Sequence, residues 1–346
     1  MLPARPLALL VLVAALATPA LSQGAPAPLD LNAAWALAPE VSADVATRLN
    51  DLDVATRTAA RAELDPLATG LERLQAEQGL AAAAASLASA ERSARISALQ
   101  AYVAVVQAID AEAQSVVRAD LAQRNLAAAR VRHEAGAITD LALSQSAADA
   151  EAAERAARDA ATDLAFAWSD LAAVVGIPAD GLHAAGLVPA PTDLPELPDL
   201  ERDLDSLAEA HAGIAAAERA LALAELRLRG TDHEGSSPNA VADARADVTS
   251  ARRRVDDAVR NAEQQLRAAH QNLLVAYGRL ADARTADAAA VTTLEAQRVR
   301  QEAGELSPIA WLQAQLDRER AAASLRASVH AAWLQWLRYE QALAGG

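Results

Sequence analysis

The stretch Val131-Arg132-His133-Glu134-Ala135-Gly136 returns as Val299-Arg300-Gln301-Glu302-Ala303-Gly304, an offset of 168 positions (299 minus 131). The register holds on both sides of the glycines without a gap. Matched pairs before and after them are Leu126 with Leu294, Gln145 with Gln313 and Trp168 with Trp336. Self-similarity at one fixed offset is the signature of a duplicated structural unit. The sequence therefore predicts two copies of one fold.

Each copy has the residues of a tight turn between two helices. Gly136 stands where a left-handed C-cap is needed, and Thr139 follows as an N-cap for a returning helix. In the second copy Gly304 is followed by Ser307 and Pro308, an N-cap residue with proline at the first helical position. We expect the returning helices to cover about 140–175 and 308–342.

The helix that leads into the first turn is predicted to be very long. From about Leu80 to Glu134 there is no proline or glycine, so the segment would form a rod of roughly 80 Å. The helix seams are mostly alanine, which buries little apolar area, so we expect the hairpins to pack against each other and against other chains. The predicted fold class is all-α, with two tandem repeats of long antiparallel coiled-coil helical hairpins.

Four segments follow from these patterns. Residues 1–22 read as a secretory signal peptide, with an apolar run over 7–17 and cleavage after Ser22. Residues 23–175 form repeat 1, 176–199 a proline-rich and extended linker, and 200–346 repeat 2. Within the repeats we expect a break around 65–70, a helix over 207–229 and a polar break over 230–239.

Composition excludes several classes of function. The chain has 46 acidic residues against 31 basic ones, a net charge of −15, so nucleic acid is a poor partner. It has no cysteine, which removes disulfides, thiolate metal sites and a lipid-modified cleavage site. The six histidines lack zinc-protease spacing, and no nucleophile or phosphate-loop motif occurs. We expect no enzyme activity, no cofactor and no metal.

The turn and helix motifs resemble the TolC family of outer-membrane efflux proteins. The residues that carry the resemblance are the two turns at 132–136 and 300–304, the helix start Leu312-Gln313-Ala314-Gln315, and the helix ends at 175–178 and 343–345. The resemblance implies a homotrimer whose hairpins form a tunnel across the periplasm, working with an inner-membrane pump. It also implies that the hairpin tips dock a periplasmic adaptor protein. By position, the tip residues are Gly136, Ala137, Ile138, Gly304, Glu305 and Leu306.

Two features depart from the family pattern. Members insert a two-stranded β-hairpin in each repeat, but the available slots here, 64–79 and 230–239, lack the alternating apolar pattern of a spanning strand. We therefore expect the β-barrel strands to be absent or vestigial. The aspartate that members often place six residues after each turn glycine is Ala142 and Ala310 here.

The tips also carry acidic residues with two interpretations. Glu134, Glu302 and Glu305 would form a negative ring that favours cations, or they are ordinary solvated residues. Two functions are likewise open. The chain is the passive duct of a multidrug efflux or secretion system, exported to the periplasm and associated with the outer membrane. Alternatively, it is a barrel-less periplasmic coiled-coil spacer without channel activity. The tryptophans Trp168, Trp311, Trp333 and Trp336 would form a membrane-interface belt or fill gaps in an alanine core. We expect core packing, with Trp311, near a tip, as the one that could be exposed for partner contact.

Overall fold

The computed structural model describes residues 29–187 and 194–345, and nine helices form in this part of the chain. The all-α prediction is confirmed, since strand pairing among these residues is a single parallel bridge between Leu29 and Leu187. The helices are α1 (Leu31–Val41), α2 (Ala43–Leu64), α3 (Gly70–Glu134), α4 (Asp140–Val175), α5 (Ala179–Ala185), α6 (Leu200–Ala210), α7 (Ala212–Thr231), α8 (Pro238–Glu302) and α9 (Pro308–Ala344).

Helices α3 and α8 are the two long rods of the molecule. Each has 65 residues, a length of about 97 Å. The start of α3 is fixed by a capping box, in which the Thr69 N–H donates to Glu72 Oε2 at 2.8 Å and the Glu72 N–H donates to Thr69 Oγ1 at 3.2 Å. The predicted start near Leu80 was therefore ten residues late. Gly79 lies inside the helix because one glycine costs only about 1 kcal/mol there.

Apart from α5, the helices of the described chain repeat in the same order in its two halves. The bounds of α3 and α8 differ by 168 at both ends, and Asp30 and Asp199 cap the starts of α1 and α6 in the same way. Each long rod pairs with one partner in its first half and with another in its second half. Helix α3 packs first on α2 and then on α4, and α8 packs first on α7 and then on α9.

The contacts between helices place them in a single layer. Toward the two glycine turns the order across the layer is α4, α3, α9, α8, and toward the other end it is α2, α3, α7, α8. Helices α3 and α9 run antiparallel and are joined by an ion pair between Asp110 and Arg326. Both glycine turns therefore lie at one end of the layer, which we call the tip end. Gln78 Nε2 donates to the Arg219 carbonyl at 2.8 Å and joins α3 to α7 toward the opposite, distal end.

The apolar core lies midway along the rods. Tyr102, Trp168 and Leu171 are buried with residues of α1 and α5 in one cluster, and Leu266, Leu273 and Tyr339 are buried with residues of α6 and α7 in another. Two edge-to-face pairs, Trp35 with Trp333 at 6.3 Å and Trp333 with Trp336 at 5.9 Å, connect α1 to α9. The core-packing prediction is thus confirmed for Trp168, Trp333 and Trp336. Trp311 is half-buried rather than exposed.

Two predictions about the connecting segments were wrong. The segment 207–229 is two helices, because His211 ends α6 and caps α7 by accepting a hydrogen bond from the Ile214 N–H at its Nδ1, 3.3 Å away. The linker is not extended throughout, because residues 179–185 form α5. The predicted signal peptide and linker residues 188–193 lie outside the described residues. No helix in the described ranges combines the length and apolar character needed to cross a membrane.

Candidate hairpin-tip interface

The two glycine turns have the same backbone geometry. Gly136 has a φ of +69° and Gly304 a φ of +75°, which is the left-handed conformation that glycine adopts without steric cost. In the first turn the Gly136 N–H donates to the His133 carbonyl and the Ala137 N–H to the Arg132 carbonyl, both at 2.8 Å. The second turn repeats both bonds at 3.0 and 2.9 Å. This pair of bonds is a Schellman motif, which satisfies the last carbonyls of each long rod.

The returning helices begin at the predicted caps. Thr139 Oγ1 accepts from the Ala142 N–H at 3.3 Å, and Ser307 Oγ accepts from the Ala310 N–H at 3.2 Å. Only two residues therefore separate each left-handed glycine from the next helix cap. The chain reverses within this distance, so each tip is a short and well-ordered surface.

The predicted tip residues fall into two separate groups. Gly136 and Ala137 are exposed and Ile138 is half-buried in the first turn, and Gly304, Glu305 and Leu306 repeat that pattern in the second. Both groups lie at the tip end. Among the described residues, no hydrogen bond or ion pair joins one turn to the other.

The charges at the two tips differ. In the first turn His133 Nε2 lies 2.6 Å from Asp140 Oδ1, so the last turn of α3 is tied to the first residue of α4. The second turn has Gln301 and Pro308 at those positions and no such link. There Glu305 lies 4.0 Å from Arg300, and Glu302 lies 3.7 Å from Arg298. These carboxylates are exposed and are partly neutralised by the neighbouring arginines.

The sequence analysis did not identify two ion pairs that join neighbouring helices. Arg326 of α9 donates to both carboxylate oxygens of Asp110 of α3, at 2.9 and 2.6 Å, and Arg318 of α9 lies 3.6 Å from Asp287 of α8. The hydrogen bonds to Asp110 raise the pKa of Arg326 above its usual value. The sequence did contain a signal for the first pair, because Asp110 occupies a step of the half-buried apolar stripe that includes Val103, Val106 and Val117.

His330 is buried one turn beyond Arg326, with 4% of its surface exposed. Its Nδ1 atom has no hydrogen-bond partner, and burial lowers the pKa of the imidazole. The described residues contain no group of three or more histidine, aspartate or glutamate side chains arranged to hold a metal ion. The tip end thus presents two short turns, and the ionic link between α3 and α9 lies farther along the rods, nearer the middle of the molecule.

Solved structures with the same architecture were found by comparison. The chain is similar to the CmeC outer-membrane channel of Campylobacter jejuni, with a TM-score of 0.66, 13% identity, and coverage of 91% of this chain and 86% of that one. It is similar to the outer-membrane protein VceC of Vibrio cholerae, with a TM-score of 0.60, 16% identity, and coverage of 91% and 96%. A membrane protein from Pseudomonas aeruginosa gives a TM-score of 0.62 at 15% identity, with coverage of 91% and 90%.

No protein-family model matches the chain, and no curated protein matches it. At 13–16% identity the structural matches establish the fold alone. They cover 91% of this chain and 86–96% of the matched chains. The chain therefore has the TolC-like fold of the outer-membrane efflux channels.

Proposed function

We propose that this protein is the duct component of a multidrug efflux or secretion system, a passive conduit that docks a periplasmic adaptor through its hairpin tips. The observation that carries the proposal is the placement of two glycine turns of the same geometry at one end of rods about 97 Å long. A rod of this length suits a structure that extends between two membranes. The fold shared with outer-membrane channels supports the same function.

A conduit requires a closed tube, and the layer of helices has two open edges. One edge is formed by α2 and α4 and the other by α8. Large apolar side chains are exposed on both. Phe166 is 65% and Leu49 57% exposed on the first edge, and Val299 is 59% and Val291 45% exposed on the second. Because the two edges differ, copies joined edge to edge form a ring when the rotation closes, and the proposed ring is a homotrimer.

The charges of the two edges favour this pairing. Helices α2 and α4 together carry eleven acidic residues and five arginines, whereas α8 carries nine acidic residues and ten arginines. The first edge is therefore strongly negative and the second slightly positive. Complementary charge of this kind orients the partners and speeds their association more than it adds affinity.

The proposed adaptor contacts are Gly136, Ala137 and Ile138 in the first turn and Gly304, Glu305 and Leu306 in the second. Exposed Ala137 and half-buried Ile138 offer a small apolar surface, while Glu305 gives the second turn a negative charge. Glu134, Glu302 and Glu305 would together give a ring of three copies a negative rim at the tip end. The partner proteins, a periplasmic adaptor and an inner-membrane pump, would supply the energy for transport, since the duct itself only conducts.

The proposed location is the periplasm, in association with the outer membrane. The two functions left open by the sequence differ in what removal of the protein does. In a cell that lacks this chain, a duct predicts sensitivity to exported compounds or loss of a secreted product. A spacer without channel activity predicts an altered envelope with unchanged export.

The tips are tested by substituting the turn glycines. Gly136→Val and Gly304→Val place a β-branched residue at a positive φ, which strains each turn without touching the rods. Gly79→Val is the matched control, since Gly79 lies inside α3 and a Cβ there meets no atom within 4 Å. We expect both tip variants to fold with normal helix content but to lose chemical cross-links to the adaptor and to lose export, while the control keeps both.

Unchanged cross-linking and unchanged export in both tip variants would remove the tips as the contact surface. The duct is tested separately by washing isolated outer membranes with alkaline carbonate. Retention of the protein in the membrane pellet supports the duct. Release as a soluble helical oligomer, together with normal export in the deletion strain, would overturn the duct in favour of the spacer.

A further inference from the structure

A small cavity lies between the two hairpins, on the tip side of the Asp110–Arg326 ion pair. Its volume is about 160 Å³, and it is lined by one face of α3 and one face of α9. Helices α3 and α9 are the two inner helices of the layer. The cavity is therefore not covered when the α2 and α4 edge or the α8 edge meets another copy, and it does not depend on the proposed duct function.

The walls of the cavity are mostly apolar, with two glutamines, Gln114 and Gln315, also in the lining, and its rim is charged. Leu316, which is 1% exposed, forms the floor with Leu312 and Val117, and exposed Ala113 opens the mouth. Ala113 contributes only a methyl group to this lining. An engineered apolar cavity of similar volume, about 150 Å³, holds a benzene-sized molecule.

The rim carries one uncompensated negative charge. Asp110 and Arg326 neutralise each other through two hydrogen bonds. The third charged residue of the lining, Glu319, is exposed and makes no hydrogen bond or ion pair within 4.0 Å in the described structure. Its carboxylate acts on the Arg326 guanidinium only through space. A bound molecule thus meets an apolar floor and a single free carboxylate at the mouth.

We infer that this cavity binds small organic cations that carry an ammonium group on one apolar ring. The ring occupies the space above Leu316 and between Leu312 and Val117, and the ammonium group lies at the mouth against Glu319. A neutral molecule of the same shape gains only the burial of its ring. An anion of the same shape is repelled by the uncompensated carboxylate.

The test compares three probes of nearly equal size on the purified full chain. These are benzylammonium, benzyl alcohol and benzoate, and their dissociation constants are measured by ligand-observed NMR at low salt. We expect benzylammonium to bind roughly two- to fivefold more tightly than benzyl alcohol, as one partly exposed ion pair allows, and benzoate to bind most weakly. Added salt should reduce the difference between benzylammonium and benzyl alcohol.

Two substitutions separate the charge from the cavity. Glu319→Gln should remove the preference for benzylammonium and leave benzyl alcohol binding unchanged, with Glu151→Gln on exposed α4 as the control. Ala113→Leu should fill the cavity and reduce binding of all three probes at least tenfold, with Ala111→Leu, an exposed position on the same helix, as its control. Circular dichroism confirms that each variant is folded.

Equal affinity for all three probes in the wild type would overturn the inference. So would an unchanged preference for benzylammonium in Glu319→Gln, or unchanged binding in Ala113→Leu. These results leave the tip experiments unaffected, because no variant alters a turn.

Discussion

Arg326→Met should destabilise the association of the two hairpins. The substitution keeps an apolar stem of similar length but removes the guanidinium that binds both oxygens of Asp110, at 2.9 and 2.6 Å. The Asp110 carboxylate, only 18% exposed, is left with no cation beside it. An unpaired carboxylate in a partly buried seam is unfavourable because water cannot fully replace the lost partner.

The expected cost lies between two limits. Breaking a fully buried ion pair costs about 3–5 kcal/mol, and losing an exposed pair costs about 0–1 kcal/mol. The Arg326 side chain is 38% exposed and that of Asp110 18%, so the pair lies between these cases. We therefore expect Arg326→Met to lower the free energy of unfolding by about 2 kcal/mol.

The double variant Asp110→Leu with Arg326→Met separates pairing from burial. Replacing both charges by apolar side chains removes the unpaired carboxylate, so the double variant should unfold within about 1 kcal/mol of the wild type. The free energies are measured by urea unfolding followed by circular dichroism for the wild type, both single variants and the double variant. Arg155→Met, at an exposed pair with Glu151 on α4, is the control and should change stability by less than about 0.5 kcal/mol.

The reasoning fails if the two single costs add in the double variant, because additivity would mean that the side chains do not interact. It also fails if Arg326→Met costs no more than the Arg155→Met control. In that case the α3–α9 seam would be held by apolar packing alone.

Three further predictions rest on other contacts. Gly176→Ala should lower the free energy of unfolding by about 2 kcal/mol, because the φ of Gly176 is +71° and the new Cβ would lie 2.7 Å from Val41 Cγ2. Gly136→Ala, with open space around it, should lower it by only about 1 kcal/mol. Both values are measured by urea unfolding, and equal losses would contradict the clash. Burial, assisted by Arg326 and opposed by Asp110, lowers the pKa of His330 below its ordinary 6.5, so the unfolded chain takes up a proton first and stability should fall as pH drops below about 6.5. His330→Gln should flatten that part of a plot of urea midpoint against pH, and an unchanged slope would argue against it. Tyr339→Phe removes the hydroxyl that donates to Asp203 Oδ2 at 2.6 Å. It should lower the free energy of unfolding by about 1.5–3 kcal/mol, seen as a lower urea midpoint. A midpoint equal to that of the wild type would show that water replaces this bond.

The sequence was most informative where structure depends on neighbouring residues. The returning helix from Asp140 to Val175 was predicted at both ends, and the turns at Gly136 and Gly304 have the predicted left-handed conformation. A capping residue acts on an N–H group two or three positions away, and a positive φ is a property of a single residue. Such features can be recognised without knowledge of the rest of the fold.

The break at His211 shows the opposite case. Histidine is not among the preferred N-cap residues, so nothing local marks the end of α6. Its ring lies against the end of α9, where a Cβ on Gly345 would come within 2.7 Å of it. The break at this position therefore combines a local cap, the hydrogen bond from the Ile214 N–H, with a contact to a residue more than 130 positions away in the chain.

By itself, the sequence determined that the chain is a duplicated pair of long helical hairpins with glycine turns, because periodicity, capping and positive φ act within a few residues. Only the tertiary structure decided the order of the helices in the layer and the pairing of Asp110 with Arg326 across 216 positions. It also decided that faces of α3 and α9, with Ala113 and Leu316 among their residues, line a cavity between the hairpins. Alanine-rich seams fit several arrangements almost equally well, so the choice among them rests on a few long-range contacts whose partners are not neighbours in the sequence.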